Sequence, residues 1–235
     1  MGTEPITVTS IGGTTIANDG KIGQCYETNG SDGCIEFTCN ANINACWSSR
    51  HFSICFWIYR KDTNRGIIFG DYQLGGINFN IEYSGATGRF YWAGSPDLNI
   101  SNMIPSINTW YHITLTVTPT EVKCYRDGVL IETLSTSLSS KSKTNGVFRI
   151  ARDSRTDTAS QAKWNDFRLY NHTLSAKEVK EISKGLIVHY SLTSQKKNNV
   201  SHSLPNEYQE VEYLESMPST LMYIDTGLTL TNFRI

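Results

Sequence analysis

The side chains in this sequence best suited to chemistry are rings and polar groups close together, and they suit binding better than catalysis. Arg89-Phe-Tyr-Trp-Ala-Gly94 alternates so that Tyr91 and Trp92 point opposite ways, one toward a core and one away from it. Sugars bind where their C–H faces stack on exposed rings while their hydroxyls meet amide, carboxylate and guanidinium groups. On that chemistry the candidate ligand contacts are Asp71, Tyr72, Tyr91, Trp92, Asp97, Asn99 and Arg152. The competing reading of each ring is a place in the core, where Trp57 and Trp110 are expected outright. Asp153, Asp157 and Asp166 offer oxygen ligands of the type calcium takes, around Arg152-Asp-Ser-Arg-Thr-Asp-Thr158. Arg152 and Arg155 neutralise that loop, however, and there is no dense acidic ladder. Calcium is therefore the one candidate cofactor, and a weakly supported one. His51, His112, His172, His189 and His202 are scattered, and none falls in a Ser/His/Asp or Cys/His signature.

Strands must position these groups. Phe52–Tyr59 is a near-continuous apolar run, as in a central strand covered on both faces. Ile77–Tyr83 alternates, with Ile77, Phe79, Ile81 and Tyr83 on one face and Asn78, Asn80 and Glu82 on the other, so a half-buried strand is expected. Tyr111–Val117 repeats the pattern with His112, Thr114 and Thr116 facing away from the core. Val122–Tyr125 and Val129–Leu134 flank Arg126-Asp127-Gly128, a strong hairpin signal. Further strands are expected at Val147–Ala151 and Asp166–Tyr170. Ser175-Ala-Lys-Glu178 is a capping box with Leu174 and Val179 at the staple positions, and Gly185 is placed to end the helix. That one short helix must dock on sheets.

The 235 residues carry 21 Lys and Arg against 22 Asp and Glu, a formal net charge of -1. Duplex nucleic acid normally calls for a basic excess, so nucleic-acid binding is excluded as a general role. No run approaches the roughly 18 to 20 apolar residues of a membrane span, and no membrane insertion is expected. Met1–Pro5 has no basic or apolar region of a signal peptide. Five of the six cysteines (Cys25, Cys34, Cys39, Cys46, Cys55) crowd together without CxxC spacing. Free, mostly buried thiols in a reducing compartment are the expectation, and zinc lacks its usual close ligand pairs. Thr193–Ser203 is polar and reads as a linker. The division expected is one domain over 1–192, a linker over 193–206 and the start of a second β-module over 207–235.

Trp110-Tyr-His-Ile-Thr-Leu-Thr-Val117, followed by Cys124-Tyr-Arg-Asp-Gly-Val129, resembles the laminin-G-like, or concanavalin A-like lectin/glucanase, jelly roll. Phe52–Ile58 looks like that family's earlier aromatic strand, and Lys163–Ser175 like its closing strand and helix start. The likeness covers about residues 22 to 192 and implies an all-β, two-sheet antiparallel jelly-roll sandwich with one short C-terminal helix. The opening strand is poorly matched, so Leu186–Leu192 either completes this sandwich or begins the next. Glucanases of the fold place carboxylates on one strand in an E-x-D-x-E type pattern. No such pattern occurs. The nearest cluster, Glu210, Glu212 and Glu215, lacks the central Asp and reads as a solvated strand edge, so no enzyme is expected. Some relatives with the fold bind calcium near loop acids.

Tyr208–Ser216 with Tyr223-Ile-Asp-Thr-Gly227 is similar to the opening of jelly-roll modules in phage tail and minor structural proteins. That resemblance implies a non-catalytic carbohydrate-binding or adhesion module of a phage or prophage virion, folded in the host cytoplasm. Its partners would be a cell-surface glycan, other virion proteins and a second copy of the chain. The alternatives are a purely structural virion spacer, then a polysaccharide-degrading enzyme, and for location the extracellular space or cell surface.

Overall fold

The computed structural model describes residues 8–38, 41–71, 78–142, 147–153 and 159–184. In chain order the elements begin with β1 (Val8–Ile11), β2 (Thr14–Ala17), β3 (Cys25–Asn29), β4 (Cys34–Thr38) and helix α1 (Ala41–Ser49). Then come β5 (Phe52–Arg60), β6 (Gly66–Gly70), β7 (Phe79–Ser84), β8 (Thr87–Trp92) and β9 (Leu98–Ile100). The series ends with β10 (Trp110–Val117), β11 (Glu121–Arg126), β12 (Val129–Ser135), β13 (Val147–Ile150), β14 (Gln161–Tyr170) and helix α2 (Ala176–Ser183). The strands form two seven-stranded sheets, β1-β4-β13-β6-β7-β8-β9 and β12-β11-β10-β5-β14-β3-β2. Adjacent strands run antiparallel, and the expected all-β sandwich is the fold observed.

Alternation explains which residues lie between the sheets. From the first sheet Phe37, Phe148, Phe69, Phe79, Ile81, Phe90 and Trp92 enter the core, and from the second Ile54, Phe56, Ile58, Ile113 and Leu115. The apolar run at β5 occupies the fourth position of the second sheet, as its two-sided burial requires. At the β11–β12 hairpin Asp127 and Gly128 both take positive φ, 52° and 78°, the combination a two-residue turn needs to match strand twist. Gly128 has a second reason to be glycine: a Cβ there would lie 2.4 Å from Ser183 Oγ and 3.1 Å from Lys180 Cα of α2.

Several expectations change. Helix α1 was not foreseen, because Asn-rich Ala41–Ser49 has no acidic first turn and no basic last turn. Its Ile43, Cys46 and Trp47 nonetheless fall at helical spacing and are fully buried. Trp47 stands between the sheets, its ring centroid 4.9 Å from Phe52 and 4.9 Å from Phe148. The helix ends where Arg50 turns left-handed (φ 59°) and its N–H donates to Cys46 O. Strand β14 begins five residues before the expected Asp166, whose φ of 49° bulges the strand and masks its alternation. Asn80 and Glu82 face outward as expected but are buried rather than solvated, as are His112, Thr114 and Thr116. Trp57 is buried on the outward face, whereas Trp110 is only half-buried and lies outside the core.

At α2 both halves of the capping box form: Ser175 N donates to Glu178 Oε2 at 2.7 Å, and Glu178 N donates to Ser175 Oγ at 3.3 Å. Leu174 and Val179 are buried on Cys55, Tyr125 and Tyr170, so the helix caps the outward face of the second sheet. Cys25, Cys34, Cys46, Cys55 and Cys124 are buried and form no disulfide among the described residues. Cys39, Gly185, the Leu186–Leu192 strand, the linker and the second module lie outside the described residues.

Candidate functional site

The outward face of the first sheet gathers three of the candidates, Tyr91, Asp97 and Asn99, and their neighbours around one arginine. Antiparallel register sets Arg89 of β8 opposite Glu82 of β7 on one side and Asn99 of β9 on the other, with Tyr91 opposite Asn80. Arg89 Nη1 donates to Glu82 Oε1 at 2.7 Å, and Nη2 lies 2.7 Å from Asp97 Oδ2. Its guanidinium carbon stands 5.6 Å from the Tyr91 ring centroid. Glu82, 3% exposed, also accepts from Arg65 Nε at 3.2 Å and from Arg65 Nη2 at 3.0 and 2.9 Å. A buried carboxylate held by two guanidiniums is a fixed anchor, because both oxygens are committed to charge-assisted hydrogen bonds. Arg89 is thereby pinned at one end while its other end, with Asp97, Asn99 and the half-buried Tyr91 ring, meets solvent. The result is one pre-set surface with a ring, a guanidinium, a carboxylate and an amide.

The other candidates are elsewhere. Asp71 is fully buried: its N–H donates to Phe79 O at 2.9 Å and its Oδ1 accepts from Phe79 N at 2.8 Å, which makes it a tie at the start of β7. Trp92 is a core ring, stacked with Phe52 at 6.2 Å, and its Nε1 donates to Ser139 O at 3.0 Å. Both are therefore corrected from ligand contacts to structural groups. Arg152 follows β13, three strands from β8, where its Nη1 reaches Asp32 O at 3.4 Å. Tyr72 lies outside the described residues.

The calcium candidates do not converge either. Asp153 is fully buried after β13 of the first sheet, while Asp166 sits in β14 of the second and accepts from Arg168 Nε at 2.7 Å and Nη2 at 2.6 Å. Asp157 is outside the described residues, among which no group of three His, Cys, Asp or Glu is placed to hold a metal. The sequence reading missed Arg65, Glu82 and Arg89. The signal was there, since a hairpin turning at Gly85-Ala86 pairs Glu82 with Arg89, but alternation alone sent Glu82 to solvent.

Comparison with known families settles the class. The family model described as the concanavalin A-like lectin/glucanases superfamily matches residues 29–180. The chain belongs to that superfamily. The laminin-G-like match spans β4 through β14 and into α2, so it contains the whole β7–β9 surface. No curated protein sequence matches the chain. Among solved structures it is similar to the binding domain of Paraclostridial Mosquitocidal Protein 1, at 18% identity and TM-score 0.63, over 75% of this chain and 47% of that one. It is also similar to the receptor-binding domain of botulinum neurotoxin C/D mosaic serotype, at 16% identity and TM-score 0.61, over 78% and 47%. A third is botulinum neurotoxin type C, at 19% identity and TM-score 0.60, over 76% and 46%. The chain thus spans about half the length of these toxin domains, and the likeness is one of fold.

Proposed function

We propose that this superfamily member is a non-catalytic glycan-binding module whose binding surface is the outward face of β8 and β9. The observation that carries the reading is the convergence of Tyr91, Arg89, Asp97 and Asn99 on one solvent-facing patch, with Arg89 preorganised by buried Glu82. The type C botulinum structure is described as depending on two ganglioside molecules for cell entry, and a related D/C domain as bound to rat synaptotagmin II. Those ligands belong to proteins of which this chain matches less than half, and they support a cell-surface role only by kinship of fold. Absence of catalysis is part of the proposal: Glu82 has both oxygens engaged by guanidiniums, and Asp97 is paired with Arg89.

The virion setting is also part of the proposal, supported by the Tyr208–Ser216 and Tyr223–Gly227 resemblance alone. Tail or capsid genes beside this one would uphold it, and a secretion operon would remove it. A glycan array read with the wild type and Tyr91→Ala tests the main reading. Binding to a subset of glycans, weakened about tenfold or more in the variant, is expected. No binding at millimolar sugar, together with tight assembly onto another protein, would instead establish the structural-spacer reading. That second reading draws on the edge strand β12, where Val129 is 66% and Leu130 48% exposed.

A further inference from the structure

The outward face of the second sheet carries a different open row. Register sets Trp110 of β10 beside Tyr59 of β5, Tyr59 beside Lys163 of β14, and Lys163 beside Glu27 of β3. Trp110 and Tyr59 are both half-buried, their ring centroids 5.5 Å apart and their planes at 52°. Lys163 Nζ lies 5.5 Å from the Tyr59 centroid, 2.5 Å from Asp19 Oδ2 and 3.9 Å from Glu27 Oε2. Lys61 pairs with the same Glu27. Helix α2 covers Cys55, Tyr125 and Tyr170 on this face and leaves the Trp110–Tyr59 pair uncovered.

Chemistry narrows the occupant. Each charge in the row is neutralised by a neighbour, so there is no one-signed field to draw an acidic or basic macromolecule. Two half-exposed rings are also far less than the roughly 800 Å² per partner of a stable protein interface. Two inclined rings edged by carboxylates and an ammonium suit a small ligand with an apolar face and a rim of hydroxyls. We propose that the Trp110–Tyr59–Lys163–Glu27 row is a second carbohydrate surface, taking a neutral pyranose whose C–H face lies on the rings. Its hydroxyls donate to Glu27 and Asp19 and accept from Lys163. The row shares no residue with the β8–β9 surface and faces outward from the opposite sheet, so one molecule would engage two glycan chains and gain avidity without new contacts.

A tryptophan readout isolates the row. Of the five tryptophans, Trp47, Trp57, Trp92 and Trp164 are buried, leaving Trp110 as the one accessible to a surface ligand. The full chain is titrated with lactose, cellotriose and chitotriose to about 10 mM, weak affinity being usual for so small a contact. At least one sugar is expected to shift Trp110 emission, protect it from acrylamide and move its Nε1–H resonance. Trp110→Phe should keep the fold and remove the emission response, and Lys163→Gln should weaken the binding that Trp110 reports several-fold. If all three sugars leave Trp110 unmoved, the second surface is overturned. Should Tyr91 resonances respond while Trp110 stays silent, this proposal falls and the β8–β9 reading stands; the reverse pattern sinks the β8–β9 reading and keeps this one.

Discussion

Both sheets bury polar side chains on their outward faces, yet they do so by opposite means. On the first sheet Glu82 is covered by its own partners, Arg65 and Arg89, so burial and charge neutralisation come together. On the second, His112 is fully buried against Trp57, ring centroids 5.1 Å apart, and among the described residues neither ring nitrogen has a hydrogen-bond partner. Its backbone is tied instead, with N–H donating to Asp127 Oδ1 at 2.9 Å and the carbonyl accepting from Asp127 N at 2.8 Å. A strand can thus be fixed by its main chain while its side chain is left with an unmet polar demand. The first arrangement resists solvent conditions, and the second is exposed to them through protonation.

Acid should separate the two faces most. Burial presses the His112 imidazole down to about 4, with Asp166 pulling it up and Arg168 adding to the depression. Between an ordinary value near 6.5 and this one the unfolded chain binds the extra proton, so stability falls as pH drops through that window. The loss is complete below about pH 4, absent above about 6.5, and worth about 3 kcal/mol when fully developed. Urea midpoints measured from pH 7 to pH 4 check this, and His112→Leu should flatten the part of the slope that His112 contributes. An unchanged slope in that variant would mean another group carries the acid sensitivity.

Breaking the other face comes next in size. Glu82→Gln removes the charge that holds two guanidiniums and should cost about 2 kcal/mol, less than a fully buried pair because Arg65 and Arg89 can turn to solvent. It should also weaken glycan binding at β8–β9 by freeing Arg89, while leaving the Trp110 response intact. Equal loss at both surfaces would show that the variant acts on the whole fold.

The contrast also shows what a sequence can and cannot disclose. Alternation gave the outward direction of Asn80, Glu82, His112 and Thr114, because side-chain direction follows from the two-residue period alone. It could not give their burial, which long-range contacts set: Arg65, from before β6, closes on Glu82, His112 packs on Trp57, and α2 packs on Cys55, the cross-strand partner of Thr114. Asp97 and Asn99 were legible as polar groups near Tyr91, and the register of three strands then united them through Arg89. Trp92 and Asp71 failed as ligand contacts for the same reason: their residue types suit a site, and only the core shows that they are occupied elsewhere. Trp110 failed the other way, since its motif reads as core and the sheet turns it outward.

The smallest expected effect lies at the cap that makes the second face a covered one. Ser175 and Glu178 satisfy each other's orphan amides at the start of α2, and Glu178 is held below the usual carboxylate range by the Ser175 amide and hydroxyl that donate to it. Ser175→Ala should cost about 1 kcal/mol of global stability. Its sharper consequence is local. Val179 is held over Cys55 and Tyr125 only while the helix persists, so fraying should raise the reactivity of the Cys55 thiol, which burial pushes up to about 12. Faster Cys55 labelling in Ser175→Ala, with Cys46 between the sheets unchanged, would show that the second face owes its cover to a removable layer. Equal acceleration at both thiols would show instead that labelling waits for global unfolding, and that the covered face is no less stable than the core beneath it.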